Sequence, residues 1–164
     1  AASDVYKRQD DMLSEDAVII GMECETAEEA IRKLAEVLYK KGCVKDNFLT
    51  AVLEREKEFP TGLPTASGIG VAIPHTDADP KYVKTPALAI GVLTKPVNFR
   101  RMDEPSQNVP VHIVFLLAVN KPEGYTNFLR KLSAIFQDAS TLHTLKNATD
   151  PRKVVEILRN KLEL

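Results

Sequence analysis

The chain has 164 residues, 44% of them hydrophobic and 27% charged, which is enough to close one apolar core and excludes wholesale disorder. Its 22 Lys plus Arg nearly balance 23 Asp plus Glu, so no overall basic field marks it for nucleic acid or an anionic membrane. No apolar run reaches the roughly 18–20 residues that span a bilayer, and no basic-then-apolar leader is visible, so a cytoplasmic location is expected.

Residues Ala1 to Asp10 show no periodicity and are expected to be a disordered or non-native segment, leaving 11–164 as one folded domain. Val18-Ile19-Ile20 reads as a short strand. Thr26-Ala27-Glu28-Glu29 has the form of a capping box, in which the threonine oxygen takes the Glu29 amide. Ala27, Ala30, Ile31, Leu34, Val37 and Leu38 then recur at helical spacing up to a stop at Gly42. Cys24 and Cys43 flank this helix without any metal-ligand or CxxC spacing and read as core or reduced thiols.

A second helix is expected from a cap at Asp46 to just before Pro60. At 100° per residue, Phe48, Val52 and Phe59 fall within about 40° of one another, and Arg55 lies only about 20° from Phe48. Glu56 also falls on the inner side. Arg55 is therefore not a freely solvated charge. Residues 61 to 70 read as a loop that enters a strand at Val71–Ile73. Ala87 to Leu93 and Val111 to Val119 are further strands, joined by the polar stretch Arg100 to Asn108. The second is apolar at nearly every position, as in a central strand covered on both faces. Three helices close the chain: one carrying Phe128, Leu129, Leu132, Ile135 and Phe136, a short one after Ser140, and one opened by Asp150-Pro151. Interleaved helices and strands give a single α/β domain, a small mixed sheet with helices against it.

Three histidines compete for chemistry. His112, inside an apolar strand, reads as a hydrogen-bonded core residue, and His143 as a structural residue on a short surface helix. His75 differs, because Gly68, Gly70 and Pro74 place it where a strand gives way to a loop. Local sequence leaves open whether this imidazole is structural or functional. A metal trio of His75, Asp77 and Asp79 lacks the further His or Cys that catalytic zinc favours, and no G-x-S-x-G elbow supports a hydrolase triad.

That leaves His75 itself as a nucleophile forming a covalent intermediate. Phosphoryl transfer suits it, since that reaction needs positioning and charge stabilisation above all. Arg55 offers a planar donor fork, while the hydroxyls of Thr61, Thr65, Ser67 and Thr76 and the amides around Gly68 offer neutral donors. The alternative for Arg55 is an ion pair with Glu56 or another carboxylate. No Walker A motif is present, so the donor is expected to be another phosphorylated protein or small molecule, and no cofactor is expected.

Gly70-Val71-Ala72-Ile73-Pro74-His75, preceded by Glu54-Arg55-Glu56 and Pro64-Thr65, resembles the IIA domain of the bacterial sugar phosphotransferase system (PTS). The resemblance is to the fructose–mannitol type (EIIA type 2), which includes galactitol-type components and nitrogen-related regulators, and it covers residues 13 to 164. It implies a five-stranded mixed sheet flanked by helices. It implies that His75 takes a phosphoryl group from phospho-HPr and passes it to a cysteine on a IIB partner, with Arg55 steadying the group. The position where many relatives carry a second histidine falls on Tyr125, a possible neighbour of the site. That departure, and the stretch from Glu56 to Pro64, lean towards the galactitol-type branch. Neither Cys24 nor Cys43 lies in a glycine-rich phosphate cradle, so IIB and membrane IIC functions are expected on other chains. The alternatives are a nitrogen-PTS-like regulatory IIA protein and a binding module that shares only the fold.

Overall fold

Helix α1 (Ala27–Lys40) begins at the capping box: Thr26 Oγ1 accepts the Glu29 amide at 3.2 Å. Just past its end, Gly42 adopts φ +78°, a left-handed conformation that glycine takes without steric cost. These observations come from a computed structural model that describes residues 12–163, and the expectation for Ala1 to Asp10 lies outside them.

Helix α2 (Phe48–Glu58) starts later than the Asp46 cap implies. Asn47 flanks its first residue without a side-chain capping bond, its Nδ2 donating to the Lys81 carbonyl, and the Phe48 amide donates to the Lys45 carbonyl at 3.1 Å. Phe59 also departs from expectation. It precedes Pro60, whose ring disfavours helical geometry one residue upstream, and its backbone leaves the helix at φ −130°, ψ 81°. Its ring is 55% exposed rather than part of the buried stripe formed by Phe48 and Val52.

Five strands form one mixed sheet in the order β1-β4-β5-β3-β2. They are β1 (Val18–Met22), β2 (Gly62–Leu63), β3 (Gly70–Ala72), β4 (Ala87–Arg100) and β5 (Asn108–Ala118). β1 runs parallel to β4 and β3 parallel to β5, while β4–β5 and β2–β3 are antiparallel. Strand β4 is twice the length read from Ala87–Leu93, because Thr94-Lys95-Pro96 is absorbed in a register slip between Val92 and Val97. A proline lacks the ladder donor, and a slip is where its loss is tolerated. Gly70 is needed for close approach: a Cβ there would stand 2.1 Å from the Pro110 carbonyl oxygen of β5.

Both faces of the sheet are covered. Helices α1 and α2 bring Ile31, Leu34, Phe48 and Val52 into one core with Ala89, Val114 and Leu116. Helices α3 (Pro122–Phe136), α4 (Ala139–Lys146) and α5 (Pro151–Leu162) bring Phe128, Leu132, Leu142 and Val154 into the other, with Ile90, Phe115 and Leu117. Two-sided burial is the reason β5 is almost continuously apolar. Beyond Asn108 at its start, His112 is the polar residue on that strand. Gly70 pairs with Val111 and Val71 with Ile113, so His112 is the extra residue at a slip. It is half-buried, and its Nδ1 has no hydrogen-bond partner among the described residues, contrary to the satisfied core histidine expected. His143 lies exposed on α4, in accord with a surface position.

Candidate functional site

Strand β3 ends at Ala72, and Pro74 turns the chain outward while its carbonyl still accepts the Leu117 amide at 3.0 Å. His75 therefore sits opposite Leu117 at the end of the sheet, anchored by backbone, and is only 7% exposed. Its Nδ1 lies 2.7 Å from the Ile73 carbonyl oxygen. A carbonyl can only accept, so in the neutral ring the proton resides on Nδ1 and the lone pair on Nε2. The Tyr125 hydroxyl, from the first turn of α3, lies 2.6 Å from that Nε2 and donates to it. The two rings are 4.9 Å apart and tilted by 50°.

Burial holds the His75 pKa below its ordinary 6.5; the Ile73 bond opposes this and the Arg55 charge adds to it. Burial also pushes the Tyr125 phenol above its ordinary 10, so it remains a donor at neutral pH. The resting site thus presents a neutral imidazole whose free nitrogen is capped by a phenol.

Arg55 reaches the same place from α2, on the opposite face of the sheet. Its Nη1 donates to Asp77 Oδ1 at 2.7 Å, its guanidinium stands 5.3 Å from the Phe59 ring centre, and its buried Nε has no acceptor among the described residues. The carboxylate paired with Arg55 is therefore Asp77 rather than Glu56. A hollow of about 230 Å³ opens beside it, lined by Arg55, Phe59, Thr76, Asp77 and Tyr82 among others. Asp79 accepts the Lys81 amide at 2.9 Å, so His75, Asp77 and Asp79 have separate commitments rather than one metal between them.

The hydroxyls are distributed differently from the sequence reading. Thr65 Oγ1 donates to the Ile69 carbonyl at 2.8 Å, Ser67 Oγ accepts the Ile69 amide at 3.2 Å, and the Gly68 amide donates to the Thr65 carbonyl at 3.0 Å. These groups close their own loop, with Gly68 at φ +83°. Thr76 is buried and donates to the Asp77 carbonyl at 2.9 Å. The structure brings His75, Arg55 and Tyr125 together and keeps Thr76 beside them, while the bonds of Thr65 stay within its own loop. Asp77 as the partner of Arg55 and the pairing of Glu56 with Thr61 were not anticipated. The one sequence signal for the latter was the inward placement of Glu56 on the helical wheel.

Residues 11–161 match the family model described as phosphoenolpyruvate-dependent sugar phosphotransferase system, EIIA 2. The chain belongs to this family. This PTS EIIA chain is 31% identical over 117 residues to the galactitol-specific EIIA component of Escherichia coli (strain K12), covering 71% of this chain and 75% of that relative. It is 27% identical over 152 residues to the fructose-specific EIIABC component of Bacillus subtilis (strain 168), covering 90% of this chain but spanning only 22% of that relative's length. Its fold matches that of Escherichia coli enzyme IIAMTL, solved in complex with phosphorylated enzyme IIBMTL, at a TM-score of 0.71 and 23% identity, over 90% of this chain and 97% of the other. The five-stranded mixed sheet implied by the resemblance is thereby borne out. As a PTS EIIA component the protein is part of a phosphotransferase. Among the described residues, no helix is long and apolar enough to cross a membrane.

Proposed function

We propose that this chain is a cytoplasmic phosphocarrier in which His75 Nε2 accepts a phosphoryl group from phospho-HPr and delivers it to a cysteine of a IIB component. The observation that carries this reading is the tautomer: the Ile73 carbonyl holds the proton on Nδ1 and leaves a lone pair on Nε2 at neutral pH. In the first step Nε2 forms a bond to phosphorus as the bond to HPr breaks. In the second, the IIB thiolate attacks phosphorus and the electron pair of the P–N bond returns to Nε2.

Tyr125 must release Nε2 for the first step, and its hydroxyl then donates to a phosphoryl oxygen. Arg55 exchanges the Asp77 carboxylate for phosphoryl oxygens, and its unpartnered Nε supplies a further donor. Thr76 joins them if its hydroxyl leaves the Asp77 carbonyl, whereas Thr65 acts through the shape of its loop.

The galactitol-specific relative favours a sugar alcohol as the final acceptor, and the phosphorylated IIB in the matched complex favours IIB as the direct partner, with a membrane IIC component reached through it. Incubation with phosphoenolpyruvate, enzyme I and HPr is expected to give one acid-labile adduct. Equal labelling of a His75→Ala variant would overturn the assignment. A labelled protein that discharges to no sugar-alcohol IIB component moves the reading to a nitrogen-PTS-like regulator.

A further inference from the structure

Glu56 follows Arg55 in α2 but serves a different part of the site. Its Oε2 accepts the Thr61 amide and its Oε1 the Thr61 hydroxyl, both at 2.8 Å. The same hydroxyl oxygen accepts the Ile73 amide at 3.2 Å, and the Ile73 carbonyl accepts the His75 Nδ1 proton at 2.7 Å. A chain of hydrogen bonds thus runs from helix α2 through the β2–β3 edge to the ring. Thr61 is 3% exposed, so water does not replace these partners. The polarity is also fixed. An ionised carboxylate only accepts, which obliges the Thr61 proton to point at Glu56 and leaves its lone pairs for Ile73.

We propose that Glu56 is a positioning residue for His75: acting through Thr61 and the backbone of Ile73, its carboxylate sets the ring orientation that leaves Nε2 free to accept a phosphoryl group. The role rests on the phosphoacceptor reading of His75 given above. Protonation of Glu56 adds a competing donor at Oε1 or Oε2 and releases one of the two Thr61 bonds, loosening the hold on residue 73.

Burial brings this change into the neutral range, with the Glu56 carboxyl pushed up to about 7. The Thr61 bonds and Arg100 of β4 pull in the opposite direction, and Glu28 of α1 adds to the rise. Glu25 and Lys57 complete the charged lining of the hollow of about 280 Å³ beside Glu56. His75 faces the charges of Arg55 and Asp77 and the phenol of Tyr125, and titrates below 6.5. The two groups are thus shifted in opposite directions, Glu56 upward and His75 downward.

The decisive measurement is the pH dependence of the His75 ring nitrogen resonances in the full chain between pH 8 and 6. In the wild type, the shift of the neutral, Nδ1-protonated ring is expected to move with a midpoint about 7. That movement is expected to vanish in Glu56→Gln and in Thr61→Val, and to survive in Thr61→Ser. Transfer from phospho-HPr to Glu56→Gln is expected to show kcat about tenfold lower with KM for the donor unchanged, as for loss of one buried charged hydrogen bond. The same ring titration in wild type and Glu56→Gln would refute the positioning role. Should Glu56→Gln fail to fold, Thr61→Val interrupts the same relay and decides the question. If the wild type takes no phosphoryl group, the phosphocarrier reading fails while the resonance measurement still tests the Glu56 relay.

Discussion

One imidazole is held at His75 by two unlike partners, and each makes a different demand on its nitrogens. The Ile73 carbonyl requires a proton on Nδ1, and the Tyr125 hydroxyl requires a lone pair on Nε2. A protonated ring cannot accept from Tyr125, so that bond stabilises the neutral form. Tyr125→Phe is accordingly expected to raise the His75 pKa towards 6.5, by less than one pH unit for a bond of about 1 kcal/mol, as read by NMR titration. A further fall in the pKa would contradict the donor assignment. Arg55 acts by charge and shape. Arg55→Lys keeps the charge and loses the fork, so phosphoryl transfer is expected to slow about tenfold with the melting temperature little changed. An unaltered rate removes Arg55 from the reaction. The placements of His75 at a strand end and of Arg55 on the inner side of its helix were legible in the sequence because each announces itself locally, one by its Gly and Pro neighbours and the other by its place on a helical wheel. Asp77 was not, since its pairing with Arg55 spans 22 residues of chain and only the fold brings the two together.

Among the elements, β3 governs the site because it ends three residues before His75 and is itself only three residues long. Its hold on β5 depends on Gly70, where a Cβ would press on the Pro110 backbone at 2.1 Å. Gly70→Ala must therefore part the two strands, with a loss of about 1–3 kcal/mol typical of overpacking, measurable as a lower urea midpoint. A wild-type midpoint would show that the seam has slack. Helix α1 could be placed to the residue because a capping box is a local contract between Thr26 and Glu29. The start of α2 could not, since Asp46 carries the chemistry of a cap while the Lys45–Phe48 turn sets the boundary. Strand β2 escaped notice because two residues show no periodicity. The far half of β4 was hidden by Pro96, which signals a break unless a partner strand can slip past it.

For the molecule as a whole, Glu56 sets the interests of the fold against those of the site. Its carboxyl is raised from 4.5 to about 7 by burial, so the folded chain binds this proton more tightly than the unfolded chain. The stability it contributes is full below 4.5 and is lost as the pH rises through about 7, by up to ~3 kcal/mol. His75 and His112 are lowered by burial and act in the opposite sense, adding stability as the pH rises towards 6.5. The difference in unfolding free energy between wild type and Glu56→Gln isolates the carboxyl. That difference is expected to fall steadily from pH 4.5 to 7.5 in urea titrations, and a flat difference would contradict it. The form of Glu56 that the fold prefers is thus the uncharged one, and the form that orders His75 is the charged one.

Arg55 arrives at His75 from the helical layer on one side of the sheet and Tyr125 from the layer on the other, while the histidine is tied to the sheet by backbone alone. Tyr125 thus has a mounting of its own, while Arg55 and the ring share a link to α2 through Glu56. Repacking the α3 layer re-aims Tyr125 and leaves the imidazole in place, whereas repacking α2 shifts Arg55 and, through Glu56 and Thr61, the ring together, so sequence drift on the two helical layers retunes the site in different ways.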